Sequence, residues 1–236
     1  MQSETIRHTG ENFIPGISEK RLHEDHVERY RFASRFANGK RILDIACGPG
    51  YGSQLLLDAG ATEVHAVDIS AKMVEYARKT YPEPRIRFQV GDIRFYRSER
   101  PYDLITCFET IEHLPQYREA IDTLYEALKP GGRLYISSPN RLITTPDARA
   151  LTDKPKNPFH TQEFTIGELQ GLLAEKGFDV QAEPIHGQRF QRYFRNPWLH
   201  KLHRMIFRPA EKSDPTLRPI VGGEPRYFLI IAFKPG

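Results

Sequence analysis

An α/β chain built on a mostly parallel sheet is the fold class that this sequence predicts, and three observations predict it. Short apolar runs of strand length alternate with segments of helical spacing from about residue 40 to residue 183. Glycines crowd the turn directly after the first apolar run. Strands separated by helices of this length make right-handed βαβ units, which place successive strands parallel.

Taken in order, residues 1–18 are polar and turn-rich and read as an arm. Residues 19–37 read as an amphipathic helix, with Leu22, His26, Val27, Tyr30, Phe32, Ala33 and Phe36 near helical spacing. Residues 41–46 (RILDIA) are the first strand, 48–52 a glycine-rich turn and 54–59 a helix. Residues 63–68 (EVHAVD) alternate as a second strand, and Ser70 is placed to cap a helix over 71–79. Strands follow at 85–90 and 102–108. A helix over 115–128 is stopped by Lys129-Pro130-Gly131-Gly132, before a fifth strand at 133–137. A helix at 166–176 ends at Gly177, a sixth strand is expected at 178–183, and the last at 226–234. The final pair breaks the rhythm and is expected to run antiparallel at the sheet edge. The chain thus reads as one domain: arm and cap helix over 1–38, a core over 40–185, an insertion over 186–225 and a terminal strand over 226–236.

Composition narrows the function classes. Hydrophobic residues make up 39% and charged residues 27%, which is globular rather than disordered. Two cysteines, Cys47 and Cys107, exclude a disulfide scaffold and a four-thiolate zinc site, and both read as strand-end packing groups. Residues 1–10 lack an apolar signal core, and the longest apolar run, 227–233, is far shorter than the roughly 20 residues of a membrane span. A cytoplasmic location is expected.

The first turn carries the most chemistry. Its glycines read G-x-G-x-G (Gly48, Gly50, Gly52) rather than G-x-G-x-x-G, and Asp44 sits inside the preceding strand. A carboxylate there opposes a pyrophosphate and suits an ammonium group. Asp68 ends the second strand, where an acidic side chain accepts from both ribose hydroxyls. A nucleoside without phosphate, joined to an amino acid, satisfies all of this; S-adenosylmethionine is such a ligand.

The strings LDIACGPGYG (43–52), VDIS (67–70), GDI (91–93), DLITCFETIEHL (103–114) and LKPGGRLYISSPN (128–140) together resemble the successive motifs of class I S-adenosylmethionine-dependent methyltransferases. TGENFIPG (9–16), HVERYRFA (26–33) and NPFHTQEFTIGEL (157–169) further resemble bacterial small-molecule and sugar-pathway members. The resemblance implies a Rossmann-like, doubly wound, seven-stranded sheet with the last strand antiparallel, an N-terminal helical cap and an insertion before the last strand. It implies S-adenosylmethionine as cofactor. Asp44 and the backbone of Ala46, Gly48 and Gly50 would hold the methionine part, with Asp68 on the ribose and Ile69 beside the adenine. Asp92 and the backbone of Ile93 would meet the adenine edge, and Phe108 and Glu109 would line the methionine side. Met73 is either an adenine cover or, on its pattern, core.

Methyl transfer from a sulfonium is an in-line displacement, so orientation supplies much of the rate, and a hydroxyl acceptor adds the need for a base. His113, four residues after Glu109, and His160, in a Pro- and Asn-rich loop, are the base candidates, each with a purely structural alternative. Glu109, Glu112 and His113 also suit a divalent metal, but no further ligand cluster is visible in the sequence, so no metal is expected. His26 and Tyr30 share one face of the first helix and, with Arg192 and Tyr193, are candidate substrate contacts. The NPPY or DPPY string of base-amine methylation is absent, so nucleic acid is not expected as acceptor. A hydroxyl of a sugar or natural-product intermediate is the expected acceptor. The rivals are N-methylation of an amino sugar or small amine, quinone-type O-methylation, and a non-enzymatic, RNA-associated or regulatory S-adenosylmethionine binder.

Residues 184–210 hold six Arg and Lys and no Asp or Glu, more than the +4 net charge of the whole chain. Aromatic residues are interleaved there. A lid for an anionic small molecule, an RNA surface, a membrane-surface helix and an interface, including one between copies of the chain, all stay open for this segment.

Overall fold

The computed structural model describes residues 20–191 and 214–236, together with Trp198, Leu199, Leu202 and Met205. The expected arm, Arg192, Tyr193 and most of the basic segment lie outside the described residues. Helix α1 (Lys20–Ser34) is followed by β1 (Arg41–Ile45), α2 (Tyr51–Asp58), β2 (Glu63–Asp68), α3 (Ala71–Thr80), β3 (Ile86–Val90) and β4 (Tyr102–Phe108). A 3-10 turn at Ile111–His113 leads to α4 (Tyr117–Ala127), β5 (Leu128–Pro139), α5 (Arg141–Thr144), α6 (Ile166–Lys176), β6 (His186–Gln191), β7 (Arg218–Pro219) and β8 (Glu224–Phe233).

The sheet order is β3-β2-β1-β4-β5-β8-β6-β7. β1 to β5 pair in parallel, and β8 runs antiparallel between β5 and β6. Strand alternation divides the core into two layers. Ile42, Val64 and Leu104 face α1, α2 and α3 together with Leu56, Val74 and Ala77. Their chain neighbours Leu43 and Ile105 face α4 and α6 with Ile121, Leu124, Leu169 and Leu173. Because α1 packs beside α2 on the first layer, the N-terminal helix covers the end of β4 as well.

Local chemistry sets the helix ends. Ser70 accepts from the Met73 N–H at 3.4 Å, as expected for the cap of α3. Thr165 and Glu168 form a reciprocal capping box on α6, and Gly177 ends it in a left-handed turn.

The chain departs from expectation after α6. Residues 178–183 make only one bridge to the sheet, Asp179 opposite Phe233, and the sixth strand is His186–Gln191. Residues 181–183 form a bend, and Pro184 has no N–H to give, so regular pairing with β8 begins at His186. The strand therefore occupies the first residues of the expected insertion. The two-residue β7 makes the sheet eight-stranded rather than seven. Arg189, one of the basic residues of the 184–210 segment, is buried with its Nε 2.7 Å from Asp25 of α1, an intramolecular contact. Among the described residues no helix is long and apolar enough to cross a membrane.

Candidate functional site

The C-terminal ends of β1, β2 and β4 open into a pocket of about 310 Å³. It lies where β1 and β4 are neighbours, the point at which the order of the sheet reverses, and crevices there are the usual ligand sites of doubly wound folds. Two strands leave the sheet there by the same device. Ala46 after β1 and Glu109 after β4 both adopt left-handed backbone, φ 57° and 48°. Such residues cost on the order of 1–3 kcal/mol and persist where the surroundings impose them. The turns aim backbone and side chains into the pocket, which Ala46, Gly48 and Glu109 all line.

The β1–β2 side is organised by Asp68. One carboxylate oxygen accepts from the Gly48 N–H and the other from the Ser70 N–H, each at 2.8 Å. Burial outweighs these bonds and raises the carboxyl above its ordinary pKa. Each oxygen keeps a second lone pair, so the carboxylate can still accept from two neighbouring hydroxyls. Ile69, beside it, lines the pocket and is 70% exposed.

Other expected cofactor contacts are placed differently. Asp44 is wholly buried below the pocket and accepts from Tyr30 Oη at 2.9 Å, Ser53 Oγ at 2.6 Å and Thr106 Oγ1 at 2.8 Å. It does not line the pocket; it fixes Tyr30, which does. Burial, partly offset by those three hydroxyls, pushes its pKa up to about 6. Gly50, at φ 87°, is required by packing: a Cβ there would meet Ala77 and Phe88 at 2.8 Å. Asp92 is engaged by Arg94, whose Nε lies 3.0 and 3.1 Å from its two oxygens. That bond is the first cause of its lowered pKa. Asp92, Ile93 and Met73 do not line the pocket, and Met73 is buried core.

The β4 side gathers titratable groups. Phe108 lines the pocket edge-on to the Tyr30 ring, 5.0 Å between centroids. Glu109 accepts from Ser137 Oγ at 2.8 Å and faces Arg29 of α1 at 3.6 Å. His26, Tyr30 and His113 line the same pocket, as expected for the cap and the first base candidate. His113 Nδ1 donates to the Phe159 carbonyl at 3.1 Å. His160 does not line the pocket, but its ring lies 4.9 Å from the His113 ring. Its Nδ1 donates to Glu163 at 2.8 Å and its Nε2 accepts from the Asn157 amide at 2.8 Å. Thr144 and Thr145 also donate to Glu163. Burial opposes the ionised form of Glu163, yet the His160, Thr144 and Thr145 bonds hold its carboxyl below the usual range.

Glu112 is 1% exposed, and among the described residues its Oε2 has no hydrogen-bond partner. Burial first, and then the charge of Glu109, push its carboxyl well above the ordinary value. Glu112, His113 and His160 have ligand atoms within 4.8 Å of one another. The loop that brings His160 is stitched to the 3-10 turn: Thr161 N–H donates to Glu112 O at 2.9 Å, and the Gln162 amide donates to Ile111 O and Leu114 O.

Sequence reasoning missed Ser53, Thr106, Ser137, Arg29, Asn157 and Glu163. Thr106 offered a signal, a hydroxyl inside the apolar run DLITCF; Ser53, Asn157 and Glu163 meet partners within nine residues, whereas Arg29 and Ser137 reach Glu109 from far along the chain. A larger cavity of about 860 Å³ lies at the opposite ends of β1–β3. Most of its arginines serve internal acceptors: Arg41 holds Glu63, and Arg78 holds the Phe88 carbonyl.

Residues 20–183 match the Methyltransferase domain family. A probable S-adenosylmethionine-dependent methyltransferase of Mycolicibacterium smegmatis is 36% identical over 178 residues, 73% of this chain and 65% of the relative. The chain thus spans just under two thirds of that relative's length. A ubiquinone biosynthesis O-methyltransferase of Xylella fastidiosa is 34% identical over 200 residues, 79% of this chain and 78% of the relative. The crystal structure of the N-methyltransferase NodS from Bradyrhizobium japonicum, in complex with S-adenosylhomocysteine, superposes with a TM-score of 0.63 at 17% identity, covering 93% and 90% of the two chains. With the parallel sheet, the pocket at its reversal point and Asp68 at the end of β2, these matches establish that the chain belongs to the S-adenosylmethionine-dependent methyltransferase family.

Proposed function

We propose that the chain transfers the methyl group of S-adenosylmethionine to a hydroxyl of a small molecule, a sugar or natural-product intermediate. The observation that carries the reading is the joining of two unlike walls in one pocket. Asp68 and the left-handed turns at Ala46 and Gly48 form one wall, and Glu109 and His113 the other.

The first wall fits the cofactor, because Asp68 retains acceptor capacity for a ribose diol and the turns present backbone where side chains would otherwise stand. When bound, the cofactor supplies an electrophilic methyl on a sulfonium. Tyr30 and Phe108, edge to face, narrow the same pocket, so the chain's contribution would be mainly to orient acceptor and methyl in line. A neutral amine needs no base; a hydroxyl does. Glu109 and His113 together on the acceptor wall are chemistry for removing a proton. The similarity to an O-methyltransferase supports the same choice.

The test is turnover with labelled cofactor over a panel of hydroxyl and amine acceptors. A hydroxyl product is expected, and His113→Ala should lower kcat about 10²-fold or more while cofactor affinity changes little. Methylation of amines alone, with kcat unaffected in the variant, would replace this reading with N-methylation.

A further inference from the structure

We propose that Glu112, His113 and His160 bind a first-row divalent metal ion, which holds two neighbouring oxygens of the acceptor beside the methyl group. The inference rests on the hydroxyl-acceptor reading above for its use, but not for the binding itself. It also reverses the expectation from sequence, which lacked a further ligand. The fold supplies it, bringing His160 across 47 residues of chain to a position beside His113.

Three independent features point to a cation. The first is the donor set: one carboxylate and two imidazoles with ligand atoms within 4.8 Å of one another. Bonds of about 2.1 Å need ligand atoms roughly 3–3.4 Å apart, so the group closes by about an ångström when it binds. The second is Glu112 Oε2, an oxygen of a 1% exposed side chain that has no hydrogen-bond partner among the described residues. A buried acceptor of this kind is costly unless something meets it.

The third is the orientation of both rings. His113 and His160 each use Nδ1 as donor, to the Phe159 carbonyl and to the Glu163 carboxylate. The outer partners of metal-binding histidines do this: they fix the tautomer and leave Nε2 as the ligand atom. Thr144 and Thr145 in turn hold Glu163. On His160 the Nε2 position is taken by the Asn157 amide, whose side chain turns away when the ion binds.

Two imidazoles with one carboxylate favour an ion such as Mn²⁺, Fe²⁺, Co²⁺ or Zn²⁺ over Ca²⁺. Three protein ligands leave positions open for a vicinal diol or catechol. Coordination acidifies the bound hydroxyl. Its proton passes to Glu109 on the pocket wall, the oxygen forms a bond to the methyl carbon, and the carbon–sulfur bond breaks to give S-adenosylhomocysteine. His113 is then a metal ligand, and Glu109 the base.

The experiment needs no acceptor. Full-length protein is treated with chelator, dialysed and titrated with Mn²⁺, with bound ion read from loss of the free-ion electron paramagnetic resonance signal. One ion per chain is expected. Glu112→Gln and His160→Gln should each weaken binding at least tenfold, while calorimetry shows unchanged S-adenosylhomocysteine affinity, which demonstrates that the variants are folded. Glu163→Gln should weaken it less, by misorienting His160. Failure of the wild-type chain to bind at millimolar Mn²⁺, or equal binding by the folded Glu112 and His160 variants, overturns the proposal. If the ion binds as described but only amines are methylated, the metal site stands and the hydroxyl reading falls.

Discussion

The two walls of the pocket are built in opposite ways. On the β1–β2 side the main contacts span at most about twenty residues of chain: Asp68 holds Gly48 and Ser70 through backbone N–H groups. On the β4 side the groups come from distant segments: Arg29 of α1 faces Glu109, Ser137 of β5 holds it, and the 157–163 loop meets the 3-10 turn. The proposed cofactor wall, made of backbone and one carboxylate, is fixed by the strands themselves. The proposed acceptor wall, made of long-range side-chain contacts, depends on how cap and loop pack. The difference teaches that cofactor binding and acceptor chemistry can be broken separately, while Tyr30 is the joint between them.

The largest separation is expected from Asp68→Ala. It removes the acceptor for two hydroxyls and two backbone N–H groups, and hydrogen bonds to a charged group contribute about 1.5–3 kcal/mol each. Calorimetry should show S-adenosylhomocysteine affinity lower by 10²-fold or more, with the acceptor wall intact. An unchanged affinity in a folded variant would remove Asp68 from the cofactor site.

A smaller, pH-dependent effect tests the support beneath the cofactor wall. The folded chain keeps the Asp44 proton to about pH 6, above its ordinary value of 3.8. The stabilisation from this raised acid is therefore complete below pH 3.8 and is lost as pH rises through 6, a change of about 3 kcal/mol. Asp44→Asn lacks this titration. Urea unfolding of both proteins should show the wild type losing about that much relative to the variant across the window. A difference that does not vary with pH would refute the buried titration.

The smallest effect tests the joint. A Cβ at Gly52 would run into the Tyr30 ring, so Gly52→Ala must displace the cap helix. A loss of about 1–3 kcal/mol of stability is expected, with weaker cofactor binding because Tyr30 lines the pocket. Unaltered stability would show that α1 adapts without cost.

Legibility followed the same division. The G-x-G-x-G turn, the Ser70 cap, the Thr165–Gly177 helix and the reversal from parallel to antiparallel strands all rest on local rules of glycine, caps and alternation. For Asp44 and Asp92, a motif gives position along a strand but not which neighbours reach the side chain. Tyr30, Ser53 and Thr106 reach Asp44, and Arg94 reaches Asp92. The sixth strand lies later than its pattern suggests, because alternation at 178–183 looks the same whether or not a strand pairs, and the chain bends at 181–183 before pairing from His186.

By itself, the sequence determined the alternating α/β architecture, the turn after β1 and the acid at the end of β2, because each is written in patterning along the chain: strand and helix periodicity, glycine spacing and the position of an acid at a strand end. The tertiary structure alone decided that Glu112, His113 and His160 meet, that Asp44 supports Tyr30 from below, and that Arg189 is buried against Asp25. Those outcomes depend on which distant segments pack together, and residue spacing along the chain does not encode that.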